Sequence, residues 1–198
     1  MHLVIGLGNP GREYVATRHN IGFMVLTALA KRTGASGSRT RFRAEIMEGV
    51  FEGEKLILAA PQTYMNLSGH AAREIVNWYH LPLDNVLIVL DDMDLPFGQL
   101  RMRPRGSAGG HNGLTSVIEQ LGSDSIPRLR IGIGRGRSAG RGHVLSRFSP
   151  DEERALPILI ERVADGVMLW RRAGIIAAMN ELNRRDLPDA DTAAKPTL

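Results

Sequence analysis

The apolar residues of the chain fall into two alternating patterns. His2–Leu7 and Val86–Leu90 are short continuous apolar runs, and Arg128–Ile133 is a third strand-like stretch; such runs read as strands buried in a sheet. Between them Ile21, Met24, Val25, Ala28 and Leu29 recur at helical spacing, with Gly34 placed to end that helix. Arg43–Phe51 and Lys55–Ala60 flank Glu52-Gly53-Glu54 and predict a hairpin, preceded by a small polar loop over Ala35–Thr40. After Pro61, Asn66 or Ser68 is positioned to cap a helix carrying Ala71, Ala72, Ile75, Val76 and Tyr79. Gln99–Arg103 alternates as an edge strand does, and Leu114, Val117, Ile118 and Leu121 form a helical stripe closed by Gly122. Ser149-Pro150-Asp151-Glu152 combines a cap, a proline in the first turn and acids at the positive end of the helix dipole. That helix runs towards Ala173, with Pro157 as a bend, and a shorter one covers Ile175–Leu182.

Strands alternating with helices predict a single three-layer α/β/α domain over residues 1–185, with a twisted mixed, mostly parallel sheet flanked by helices. Residues 186–198, rich in Asp, Ala and Pro, read as a disordered tail, and Gly134–Gly142 (GRGRSAGRG) as a mobile basic loop. At 198 residues, 43% hydrophobic and 23% charged, the chain can bury a full core. It has no cysteine, which excludes disulfides, a thiol nucleophile, iron–sulfur clusters and any Cys-based zinc site. No apolar run reaches the roughly 18 residues of a membrane span, and Met1-His2 enters the first strand with no basic region or cleavage site. A cytoplasmic protein with no signal peptide is expected.

Charge adds a direction. The net charge is +4, and 22 of the 25 basic residues are arginines. Arg101 to Arg147 holds nine arginines against Glu119 and Asp124, an excess larger than that of the whole chain. Such a concentration marks either a polyanion partner or a solvated basic face.

Five motifs carry polar groups on loops. Gly6-Leu7-Gly8-Asn9-Pro10-Gly11 matches G-x-G-x-x-G after a strand, but Pro10 interrupts the turn and the helical stripe starts only near Ile21. The region that should supply a ribose-binding acid reads Lys31-Arg32-Thr33-Gly34, so a nucleotide cofactor is not expected. The glycines instead permit a tight turn that aims the Asn9 amide into a cleft. Tyr14-Val15-Ala16-Thr17-Arg18-His19-Asn20 places a histidine beside that loop, and Tyr64-Met65-Asn66-Leu67-Ser68-Gly69 places an asparagine before a helix. Asp91-Asp92-Met93-Asp94 follows a buried strand; three acids could hold a cation, but one carboxylate orienting a histidine needs fewer parts. Gly106-Ser107-Ala108-Gly109-Gly110-His111-Asn112-Gly113 enters a helix, where an oxyanion or phosphate could bind. One histidine, one or more aspartates and three asparagines suit attack of water on an ester: His takes the proton, Asp fixes its tautomer, and Asn amides bind the carbonyl oxygen.

GLGNPGREYVATRHNIG, PQTYMNLSG, VLDDMDLPFG, GGHNGL and RLRIGIGR, in this order and spacing, resemble bacterial peptidyl-tRNA hydrolases from about Leu3 to Asn183. The resemblance implies a monomeric esterase without metal or other cofactor. Its substrate would be peptidyl-tRNA, cut between the peptide and the 3′-terminal ribose, so that tRNA is recycled from aborted translation. It assigns His19 as base, Asp91 as its orienting carboxylate, and Asn9, Asn66 and Asn112 as the groups that position water and peptide. Tyr14 would stack near the terminal nucleotide, with Tyr64, Met65 and His111 also on the substrate side. Arg101, Arg103 and Arg130 would meet tRNA phosphates. The chain departs from the family pattern at Thr27, Leu90 and Thr115, none of them a proposed catalytic group. The alternatives are an RNA-binding module on the same fold, which would not need the complete Asn9, His19, Asn66, Asp91, Asn112 set, and a nucleotide-dependent α/β enzyme, which would need a helix opening at Gly11.

Overall fold

The computed structural model describes residues 1–136 and 141–184. The disordered tail expected over 186–198 and residues 137–140 of the expected loop lie outside the described residues. In chain order the elements are β1 (His2–Gly6), α1 (Ile21–Thr33), β2 (Ser36–Arg41), β3 (Ala44–Phe51), β4 (Glu54–Pro61), α2 (Ser68–Tyr79), β5 (Val86–Asp92), β6 (Leu100–Arg103), α3 (Asn112–Leu121), β7 (Arg128–Gly132), α4 (Arg141–Val144) and α5 (Pro150–Leu182). Short 3-10 turns cover Arg18–Asn20, Met65–Leu67 and Leu83–Asn85.

The seven strands form one mixed sheet in the order β2-β3-β4-β1-β5-β7-β6. Its centre, β4-β1-β5-β7, is parallel, and antiparallel strands finish both edges. Helices on both sides complete three layers. Val4, Leu58, Leu87, Val89, Leu129 and Ile131 face the core shared with α1 and α5. Their neighbours in the pleat, Leu3, Ile5, Ile57, Ala59, Ile88 and Leu90, face the core shared with α2 and α3. Central strands therefore need apolar residues at every position, which is why β1, β4 and β5 read as continuous runs.

Three local expectations are corrected. Residues 36–41 are the edge strand β2, not a loop; all six are exposed, so no apolar residue betrays the strand and only backbone pairing to β3 defines it. Neither Asn66 nor Ser68 caps α2 through its side chain: Leu67 holds the cap position, Ser68 bonds back to the Met65 carbonyl, and Asn66 stays exposed in the preceding 3-10 turn. Arg141 and Gly142, expected in a loop, belong to α4. The C-terminal helices do divide where their pattern put the boundary, at Gly174, whose φ of 82° leaves the helical region inside α5.

One close approach sets the geometry of the site. A Cβ on Gly22 would lie 2.5 Å from the Leu7 carbonyl oxygen, and one on Gly6 would collide with the Gly22 carbonyl. The first turn of α1 thus rests backbone to backbone on the end of β1. It carries the residues just before it, Arg18–Asn20, to the carboxyl edge of the sheet.

Candidate active site

The loop after β1 leads to α1 on one face of the sheet, and the chain after β5 leads on to α3 on the other. Connections that part to opposite faces open a crevice at the carboxyl ends of the strands. A cleft of about 670 Å³ lies there.

Asp91, near the end of β5, forms its floor and is 1% exposed. A single oxygen, Oδ1, serves two imidazoles: His19 Nδ1 at 2.8 Å and His111 Nε2 at 3.0 Å. The rings are 5.2 Å apart, centroid to centroid. The protons on these nitrogens follow from the partners. His111 is the N-cap residue of α3, and its Nδ1 accepts the Leu114 N–H at 3.2 Å. Its proton therefore sits on Nε2 and is donated to Asp91. His19 donates Nδ1–H to the same oxygen, which leaves the Nε2 lone pair free on the cleft side. Burial would push the Asp91 carboxyl up, but His111 and His19 outweigh it and hold the carboxyl well below the usual carboxylate range. Asp91 thus stays an anion, as an orienting acceptor must.

Asn9 forms a second fixed group. Its backbone N–H donates to Asn20 Oδ1 and its carbonyl accepts from Asn20 Nδ2, both at 2.9 Å. Its own Oδ1 accepts the Met65 N–H at 2.8 Å. With the oxygen engaged, the NH₂ end is what Asn9 presents to the cleft. Asn66, in the 3-10 turn, and Asn112, the first residue of α3, are exposed at the rim with no side-chain partner among the described residues, ready to pair with an amide or a carbonyl. Buried Met65 supplies an apolar wall, and Tyr14 and Tyr64, the latter 61% exposed, stand at the mouth.

His19, Asp91 and His111 lie close enough together to hold a metal ion. The proton inventory argues for a hydrogen-bonded network instead, because His111 Nε2 and His19 Nδ1 are donors in this arrangement.

The arginines divide. Arg101 and Arg103 lie outside the cleft, exposed on the edge strand β6. Arg130 lines the cleft but is drawn inward. It gives Nη1 to Asp92 at 3.1 Å and Nη2 to the Ser107 and Ala108 carbonyls, and its side chain is 12% exposed. In the β6–β7 ladder Arg101 pairs with Arg130 and Arg103 with Arg128, so all four project from one face.

Some contributors were not foreseen. Asn20, 2% exposed, locks the Asn9 loop, and its place directly before the helical stripe was the only available sign. His111, on the substrate side by the resemblance, lines the cleft, and its side chain also binds Asp91 and caps α3. Val144 and Leu145 close one side of the cleft. Their segment is tied down by Arg18, whose backbone N–H meets the Ser146 carbonyl and whose guanidinium meets Ser146 Oγ and Glu152.

Fold and cleft together define an α/β protein with a hydrogen-bonded His–Asp pair in a cleft at the carboxyl edge of its sheet. The family model described as peptidyl-tRNA hydrolase matches residues 3–190. The peptidyl-tRNA hydrolase of Chloroflexus aurantiacus is 50% identical over 186 residues, covering 92% of this chain and 99% of that one. That of Caldanaerobacter subterraneus is 49% identical over 184 residues, covering 92% and 100%. The crystal structure of the Acinetobacter baumannii enzyme superposes with a TM-score of 0.86 at 35% identity, covering 92% and 94%. The chain belongs to the peptidyl-tRNA hydrolase family.

Proposed function

We propose that this protein hydrolyses the ester between the peptide and the 3′-terminal ribose of peptidyl-tRNA, with His19 as the general base. The observation that carries the mechanism is the 2.8 Å contact from His19 Nδ1 to the buried Asp91, which leaves Nε2 as the proton acceptor. Nε2 takes a proton from water as the water oxygen adds to the ester carbonyl. The carbonyl oxygen becomes an oxyanion, stabilised by amide N–H donors; the Asn9 NH₂, aimed by the Met65 N–H, and the Asn112 amide are the candidates. Collapse of the tetrahedral intermediate breaks the bond to the ribose 3′-oxygen, which leaves with the proton held by His19. The products are a free peptide carboxylate and a tRNA with its 3′-hydroxyl restored, which can be charged again for translation.

Asn66 and Asn112 pair with peptide amides in this reading, and Met65 packs against a peptide side chain. An aminoacyl-tRNA would present an ammonium where peptidyl-tRNA presents a neutral amide, and burying that charge unpaired is expensive. Tyr14 and Tyr64 receive the terminal nucleotide. Arg101 and Arg103 take acceptor-stem phosphates, with Arg130 adding its charge at the cleft wall. The reaction as drawn needs no group from a second copy. No described helix is long and apolar enough to cross a membrane.

The test is hydrolysis of N-acetyl-aminoacyl-tRNA by wild type and His19→Ala in EDTA, with aminoacyl-tRNA as control. The expected outcome is selective, EDTA-resistant hydrolysis by wild type and a loss of about 10²–10⁴-fold in the variant, with tRNA binding retained. Near-wild-type turnover by the variant overturns the base assignment. Equal rates on both substrates overturn the specificity argument. A folded wild type that binds tRNA without cleaving it would be an RNA-binding module.

A further inference from the structure

Arg128 is a buried cation to which the mechanism above gives no task. It opens β7, is 1% exposed, and makes no hydrogen bond to any carboxylate among the described residues. Its guanidinium is spent on backbone carbonyls from separate turns. Nε reaches the Ile126 oxygen at 2.6 Å, Nη2 the Asp124 oxygen at 2.8 Å and Nη1 the Gly106 oxygen at 2.6 Å. Two residues on, and so on the same face, Arg130 Nη2 meets the Ser107 and Ala108 oxygens at 3.1 and 2.9 Å. Three successive carbonyls, 106 to 108, are thus turned onto two arginines of one strand. Gly106, at φ 136°, permits that turn where a side chain would be strained.

The next contacts lead into the cleft. The Ala108 oxygen accepts the His111 N–H at 3.2 Å. His111 then caps α3 and donates to Asp91, and Asn112 opens the helix at the rim. A lone buried charge is costly, and burial, with the charge of Arg130, pulls the Arg128 pKa below the usual arginine value. The fixed fork of five N–H donors is what a lysine or a neutral side chain could not offer to carbonyls in several directions.

We propose that Arg128 is a positioning residue for the active centre: by holding the Gly106–Ser107 carbonyls against the sheet, it sets the loop that delivers His111 to Asp91 and Asn112 to the substrate. The inference rests on the reading of His19–Asp91–His111 as the catalytic group, and the test separates the two. Arg128→Lys and Arg128→Met are compared with wild type and His19→Ala below their melting temperatures, for kcat, for KM on N-acetyl-aminoacyl-tRNA, and for the ¹⁵N signature of the His111 tautomer. In Arg128→Met, kcat is expected to fall up to about 100-fold, with KM within about threefold and the His111 Nε2–H signature lost. Arg128→Lys, which keeps the charge but not the fork, recovers part of kcat. A folded Arg128→Met with wild-type kcat and an intact signature, lower only in Tm, overturns the proposal. If Arg128→Met does not fold, Arg128→Lys decides, since wild-type kcat and signature in that variant also overturn it. Full activity of His19→Ala would sink the catalytic reading alone, because the tautomer signature still reports the link from Arg128 to His111.

Discussion

At the scale of single residues, His111 carries two duties that substitution can separate. Its Nδ1 caps α3 and its Nε2 binds Asp91. Asparagine is a strong cap but cannot reach the carboxylate as an imidazole does. His111→Ala is expected to lose about 1 kcal/mol of stability or more together with activity, whereas His111→Asn regains most of the stability and little of the rate. Urea denaturation beside kcat measures both; parallel recovery in His111→Asn would show that the rate loss came from the helix cap. The sequence made the convergence of Asn9, His19 and Asp91 legible because each stands on a loop beside a recognisable element. It could not show that His111 shares the carboxylate. Its local pattern is that of any residue before a helix, and the partner lies 20 positions away on strand β5.

Among elements, the start of α5 is bound to the turn that carries His19. Glu152 completes the capping box with Ser149 and also receives two guanidinium nitrogens of the nearly buried Arg18. Burial would raise the Glu152 pKa, but Arg18 and Ser149 outweigh it and bring it down from 4.5 to about 2. A lowered folded-state pKa means that this stabilisation is complete above about pH 4.5 and is lost as the pH falls through about 2. Glu152→Gln should lower Tm at pH 7 by about 3–6 °C, and the gap to wild type should close as the pH falls from 4.5 towards 2. Thermal melts across that range check it; a gap independent of pH would mean that packing, not charge, is lost. The signals for α5 were local (cap, proline, acids) and were readable for that reason. Strand β2 was not, because an edge with both faces in water has no hydrophobic constraint on its residues.

For the whole molecule, the arginine-rich window of the sequence resolves into different roles. Arg101 and Arg103 are exposed on a sheet edge, while Arg128 and Arg130 serve backbone carbonyls and Asp92. A count of charges revealed the excess but not this division: register puts all four on one face, and the 106–108 carbonyls and Asp92 engage Arg128 and Arg130 there. Removing Arg101 or Arg103 should weaken tRNA binding at low salt and reduce the salt slope by about one unit each, while sparing a minimal acyl-adenosine substrate. Binding isotherms at several salt concentrations test this, and equal loss on the minimal substrate would assign these arginines to the fold or the chemistry.

Because His19 and His111 share one oxygen of Asp91, their bonds compete. In the proposed reaction a positive His19 would draw the shared oxygen more strongly and leave less of it for His111. On that reading the anchorage of α3 to Asp91 is weakest while the base holds the proton.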